Sequence, residues 1–233
     1  MVKNKYKSIG ILGGMGPYAT ISFFEKIISM TNAKKDWDYP RLIIDNNTKI
    51  PSRSRHVLYN EKSPVNGMIK SCKQLENYPV DIIAIPCNSA CCFLDKVKKK
   101  INIPIIDIIE ITANSMLKHK KNVKSCAVIS GISQYKNQSY KKYLEKNGFI
   151  YVHHSKNIQS KIEKLIENIK KNPNNKKHKQ DCKNIINQIM VKYKVDSFIL
   201  GCTEFGCIEK NNFNFPIVDS SHELAKYIVT INK

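Results

Sequence analysis

The sequence predicts an α/β fold made of two similar doubly wound domains with mainly parallel sheets. Three observations predict it. Short apolar runs alternate with amphipathic stretches along the whole chain, the pattern of strands separated by helices. The runs DIIAI and SFILG are apolar at successive positions, as parallel strands covered on both faces require. The segment DIIAIPCNSACC (81–92) recurs in outline as DSFILGCTEFGC (196–207), so each half carries one cysteine where a strand ends. A single eight-stranded barrel would share the alternation, but the second unit is long and irregular, and the repeated tip favours two sheets facing each other.

The elements follow in order. SIGIL (8–12) is a first strand, GGMGP a turn, and YATISFFEKIISMTNAKK a helix with Pro17 in its first turn. RLIIDNN (41–47) is a second strand, IPSRSRH (50–56) a loop, and residues 65–77 a helix. VDIIAIP (80–86) is a third strand, with a helix from ACCFLDKVKKK. IPIIDII (103–109) is a fourth, followed by helical ITANSMLKH. SCAVIS (125–130) is a fifth, with a helix around 135–147, and FIYVHH (149–154) a sixth. IQSKIEKLIENIKK (158–171) is an amphipathic helix, NPNNKKHK a mobile loop and CKNIINQIMVKY a further helix. DSFILGC (196–202) and FPIVDSS (215–221) are the last strands, and HELAKYIV the last helix.

Bulk composition narrows the classes. The chain has 233 residues, 42% of them hydrophobic, which supports a folded core and excludes disorder. No apolar run is long enough to span a membrane, and the basic start running into SIGILGG reads as a strand, not a signal peptide. A formal charge of +20 raises the question of a nucleic-acid partner. Only Arg41, Arg53 and Arg55 are arginines, and the lysines are dispersed, which argues against shaped phosphate contacts. Eight cysteines at irregular spacing with no secretory signal predict reduced thiols in the cytoplasm.

The two recurrent tips carry the chemistry. Cys87 is followed by Asn88 and Ser89, and Cys202 by Thr203 and Glu204. Strand tips that open helices leave backbone N–H groups free for an anion. Two thiols around one carboxylate suit inversion of a stereocentre: a thiolate removes a proton from one face while a thiol delivers one to the other, at a pKa of about 8.5 that keeps both states accessible. Cys72, Cys126 and Cys182 read as small buried apolar side chains. The pairs Cys87/Cys91 and Cys202/Cys207 have neither zinc-type nor C-x-x-C spacing. The glycines at 10, 13, 14 and 16 do not fit G-x-G-x-x-G, and Asp45 is too distant for a ribose contact; Gly13, Gly14 and Gly16 read as a backbone approach to a small ligand or as a tight turn. Arg53 is placed to hold a carboxylate through two N–H groups. Lys161 is not singled out by its own pattern.

The segments GILGGMGPYAT, IPSR, IPCNSA, QSKIEKLI and ILGCTE, in this order, resemble the aspartate/glutamate racemase superfamily, most of all its cofactor-independent aspartate racemases. The resemblance spans nearly the whole chain. It implies two α/β domains, 1–103 plus 217–233 and 104–216, with the active site in the interdomain cleft, and a homodimer without cofactor or metal, acting on an acidic amino acid. It implies Cys87 and Cys202 as acid/base thiols, Asn88, Ser89 and Thr203 around the α-carboxylate and amine, Arg53 and Lys161 on the side-chain carboxylate, and Met15 as a wall. Related readings on the same scaffold are glutamate racemisation, maleate cis-trans isomerisation and a non-catalytic binder of acidic amino acids. The chain departs from the family pattern at Ser89-Ala90-Cys91, at Phe205-Gly206 and at Asp219-Ser220, while both thiols are kept.

Overall fold

The computed structural model describes residues 8–207 and 215–232. Residues 1–7 (the basic start of the first predicted strand), 208–214 and 233, and the side chain of Cys207, lie outside the described residues. Two parallel sheets form the frame. The first has the order β2-β1-β3, from β1 (Ile9–Gly13), β2 (Leu42–Asn46) and β3 (Ile82–Ala84). The second has the order β5-β4-β6-β7, from β4 (Ser125–Ser130), β5 (Ile150–Val152), β6 (Ser197–Gly201) and β7 (Ile217–Asp219). The central strands β1, β4 and β6 are buried along their whole length, as their continuous apolar runs require.

The helices are α1 (Pro17–Met30), α2 (Arg53–Tyr59), α3 (Val65–Glu76), α4 (Asn88–Cys91), α5 (Leu94–Lys98) and α6 (Ile108–Ser115) in the first part of the chain. They continue with α7 (Ile132–Asn137), α8 (Lys141–Lys146), α9 (Lys156–Lys171), α10 (Lys177–Tyr193) and α11 (Ser220–Ile231). One core lies between the sheets. It joins Ile9 and Ile11 of β1, Val128 of β4 and Ile199 of β6 with α1, α6 and α11. The outer face of the first sheet is covered by α3 and α5, and that of the second by α9 and α10. The last segment serves both halves: β7 pairs with β6, whereas α11 packs on α1 and α6.

Four departures from the sequence expectation have local causes. The predicted strand 103–109 is reduced to one bridge, Ile83 to Ile105, because the Asp107 carboxylate accepts from Ile109 N (2.9 Å) and Glu110 N (3.4 Å) and starts α6. IPSRSRH is not a loop throughout. The Ser52 hydroxyl accepts from Arg55 N at 3.3 Å and caps α2, which Asn60 ends at φ 55°. The helix around 135–147 is two helices, broken at Gln138 (φ 48°). The end of NPNNKKHK is helical, since α10 begins at Lys177, and the buried His178 ring bonds Asn172 O at 2.8 Å and ties down the turn before it. No helix among the described residues is long and apolar enough to cross a membrane.

Candidate active site

The carboxyl ends of five strands, drawn from both sheets, converge on one cavity of about 320 Å³. Its lining comes from the turn after β1 (Met15), from α2 (Arg53, Arg55, Tyr59), from the tip after β3 (Cys87, Asn88, Ser89), from Gly131 after β4 and from the tip after β6 (Cys202, Thr203, Glu204). Ligands in open α/β sheets gather at such ends. The remaining wall is α9, which turns Glu163, Ile166, Glu167 and Lys170 inward. These are i, i+3, i+4 and i+7, one face of a helix.

The two thiols therefore open into the same space. Cys87 is 5% and Cys202 8% exposed. The tips that carry them are bound to each other. The Thr203 hydroxyl donates to the carbonyl of Pro86, the residue before Cys87, at 3.0 Å. Asn88 is held on three sides. Its Nδ2 donates to Ser220 Oγ (2.8 Å), its Oδ1 accepts from Tyr140 OH (2.5 Å), and its backbone carbonyl accepts from Gln134 Nε2. Ser220 Oγ passes the chain of bonds on to Leu200 O of β6 (2.9 Å). Four side chains from the second half of the sequence thus clasp the tip delivered by the first. Asn88 and Thr203 spend most of their hydrogen-bonding capacity on this clasp. Thr203 retains only acceptor capacity toward a ligand.

The polar groups of the cavity are set apart by their partners. Arg53, the first residue of α2, donates to Pro51 O (3.0 Å), Ile50 O (3.3 Å) and, across the turn after β1, to Met15 O (3.2 Å). Its Nε is buried with no hydrogen-bond partner. Cys202 Sγ donates to Glu204 Oε2 at 2.9 Å, and Glu204 Oε1 lies 3.5 Å from Lys170 Nζ. Burial first, and then the Glu204 charge, push the Cys202 thiol well above its ordinary value, with Lys170 pulling the other way. Partial desolvation pulls Lys170 down, but the Glu204 charge facing it leaves it raised, although its side chain is 49% exposed. Burial raises Glu163, whose Oε1 accepts from Gln159 Nε2 at 2.7 Å.

Seven of the eight residues singled out on the sequence, Met15, Arg53, Cys87, Asn88, Ser89, Cys202 and Thr203, line this cavity. Lys161 does not. It is exposed and donates to Gln188 Oε1 of α10 at 3.0 Å. The lysine on the cavity is Lys170. The two are nine residues apart, and at 100° per residue that is half a turn beyond two full turns, on opposite faces of α9. The 163/166/167/170 stripe beside the apolar positions 162, 165 and 169 was the signal that would have selected Lys170.

The glycine turn also differs from a ligand cradle. A Cβ on Gly13 would stand 2.5 Å from Thr20 Cγ2, and one on Gly14 (φ 80°) would stand 2.3 Å from the Asn47 backbone carbon. Both glycines serve the turn into α1, where Thr20 Oγ1 also accepts from Gly14 N (2.9 Å). Cys91 Sγ points at Cys87 O (3.7 Å) and Cys92 Sγ at Ser139 Oγ (3.9 Å), and neither thiol lines the cavity.

With this geometry in place, the chain can be set beside known proteins. A family model described as Asp/Glu/Hydantoin racemase matches residues 12–228. The chain belongs to the Asp/Glu/hydantoin racemase family. It is 30% identical over 229 residues to the broad specificity amino-acid racemase RacX of Bacillus subtilis (strain 168), covering 95% of this chain and 96% of the relative. The structure of the Picrophilus torridus aspartate racemase superposes with a TM-score of 0.82 at 30% identity, over 96% of this chain and 93% of the other. A glutamate racemase from Aquifex pyrophilus is 28% identical over 167 residues, 65% of this chain and 58% of the relative. Members of this racemase family are isomerases, and the α/β fold of this chain is that of the solved racemase structures it resembles.

Proposed function

We propose that the protein is a cofactor-independent amino-acid racemase that interconverts L- and D-aspartate by two-base proton transfer at Cα. One observation carries this reading: two buried thiols, each from the tip of a different parallel sheet, open into one small cavity. The substrate Cα sits between them. The thiolate of one cysteine takes the Cα proton, breaking C–H and forming S–H. The thiol of the other then delivers its proton to the opposite face, breaking S–H and forming C–H. The carbanion between these steps is conjugated with the α-carboxylate, so fixed positive charge nearby lowers the barrier.

Arg53 and Lys170 supply that charge and hold the substrate carboxylates. Ser89 and the uncapped first turn of α4 face the α-carboxylate, and Thr203 and Glu163 accept from the ammonium group. Met15 closes the wall behind the substrate. In this reading the protein is a cytoplasmic homodimer that binds neither nucleic acid nor membrane.

The test is chiral chromatography after incubation with L-aspartate, with D-aspartate in parallel and solvent deuterium incorporation at Cα as a second readout. Exchange and racemisation of aspartate are expected. Absence of both for aspartate and glutamate would sink the acidic-substrate reading. A second substrate class has its own support: Glu163 and Glu167 on one cavity wall suit a cationic group, and RacX carries the description broad specificity. Faster racemisation of lysine or a neutral amino acid than of aspartate would move the assignment there. Turnover of maleate without amino-acid exchange would indicate a cis-trans isomerase, and aspartate binding without exchange a non-catalytic protein.

A further inference from the structure

The two thiols are not equivalent. Cys202 Sγ lies 2.9 Å from Glu204 Oε2, in a pair where both residues are buried. A carboxylate can only accept, so a proton must lie between sulfur and oxygen, and a thiolate there would place two anions in contact. Among the described residues no hydrogen bond holds the sulfur of Cys87, and no carboxylate touches it. Glu204 in turn is opposed by Lys170, 3.5 Å from its second oxygen.

We propose that Glu204 fixes Cys202 as the resting acid of the pair and Lys170 limits how far it does so, which leaves Cys87 as the resting base. This assignment deepens the two-thiol reading above and rests on it for its catalytic meaning. The free enzyme is then poised for the enantiomer whose Cα–H faces Cys87. To serve the other, Cys87 must take a proton from water in the cavity, and the proton on Cys202 must leave its sulfur, for which Glu204 Oε2 is the acceptor in contact with it: S–H breaks, O–H forms, and a Cys202 thiolate then faces a Cys87 thiol. Binding of a substrate carboxylate at Lys170 favours this transfer, because it withdraws the ammonium charge that stabilises the Glu204 carboxylate.

Other titratable groups surround the turn. Lys26 of α1 is 3.0 Å from Gly206 O, and Glu223 of α11 is paired with Lys118 at 2.8 Å. Asp219 of β7 caps α11, and His222 lies in the first turn of that helix. Glu163 and Glu167 stand on α9, and Arg53 and Cys87 face the turn across the cavity. Of the charged side chains, Glu204 and Lys170 act most on Cys202, in opposite directions.

The test uses the full chain with Cys87→Ser and follows alkylation of Cys202 by iodoacetamide against pH, read on its peptide by mass spectrometry. Glu204→Gln keeps the shape and removes the charge. The alkylation midpoint should fall by about one pH unit or more, a gain of about tenfold in rate below the midpoint. An unchanged or higher midpoint overturns the proposal. Lys170→Met should move the midpoint upward, and this arm decides if the glutamine variant does not fold; no upward movement in it likewise overturns the proposal. The alkylation readout needs no turnover, so a shifted midpoint in a protein that racemises nothing would retain the Glu204 assignment and discard the racemase reading. In the active enzyme with Cys87 intact, Glu204→Gln should carry the alkaline limb of kcat/KM to lower pH, while a merely structural role would lower the rate without moving the limb.

Discussion

Replacing Thr203 by Val tests whether the bond between the two tips sets the register of the thiols. Valine keeps the shape and removes the hydroxyl that donates to Pro86 O at 3.0 Å. Both residues are buried, and the Pro86 carbonyl accepts no other hydrogen bond among the described residues. A buried acceptor left unpaired costs about 1–3 kcal/mol. For a chain of this length that lowers Tm by about 2–12 °C. Thr203→Ser is the matched control. It keeps the donor and deletes one buried methyl group, at a cost of about 1 kcal/mol. The two variants should therefore melt at similar temperatures and differ in rate. If the bond aligns the tips, Val loses kcat by about 10- to 100-fold, the scale expected when reacting groups are misplaced by about an ångström, and Ser stays close to wild type. The assays are thermal melts by circular dichroism and aspartate racemisation by chiral chromatography. A folded Val variant with wild-type kcat, or a Ser variant as slow as Val, refutes the reasoning.

Other outcomes follow from the same geometry. Cys87→Ala and Cys202→Ala should each abolish racemisation while leaving the fold intact, measured by turnover and far-UV circular dichroism. Lys170→Ala should raise KM for aspartate by about tenfold or more, the worth of one charge-assisted contact of about 1.5–3 kcal/mol, whereas Lys161→Ala should leave KM unchanged. Gly14→Ala should destabilise by at least about 2 kcal/mol, since a side chain at φ 80° is strained and its Cβ meets the Asn47 backbone, and a Tm within a degree of wild type would contradict this. Burial raises Glu163 in the folded state, so folding favours its protonated form, and its contribution to stability fades as pH rises through that raised value. Glu163→Gln should thus gain more in Tm over wild type at pH 7 than at pH 4.

Much of this site could be read from single residues. The thiols were legible because a buried strand followed by Cys and small polar residues occurs twice, and the parallel frame because its central strands are dominated by continuous apolar runs. What escaped the sequence was set by local caps and by helix phase. Asp107 turned a predicted strand into a helix start, and Ser52 turned a predicted loop into α2. Lys161 and Lys170 differ only in which face of α9 they occupy, and that depends on which side the helix buries. Gln134, Tyr140 and Ser220 had no motif at all. Their part in the clasp arises from tertiary contacts and leaves no local pattern. Asn88 and Thr203 were recognised as important, but as ligands of a substrate and not as fastenings between the halves.

That clasp has a consequence for how the protein comes into being. The residues that hold the Cys87 tip lie 46, 52, 117 and 132 positions away from their partners along the chain. Contacts of such long range close late, after the loops between them have been ordered. During synthesis the first thiol is therefore made early and waits, unaligned, until Ser220 has emerged and docked. Alignment of the two tips is among the last features the folding chain acquires, and a half-made molecule carries the first thiol without the means to aim it.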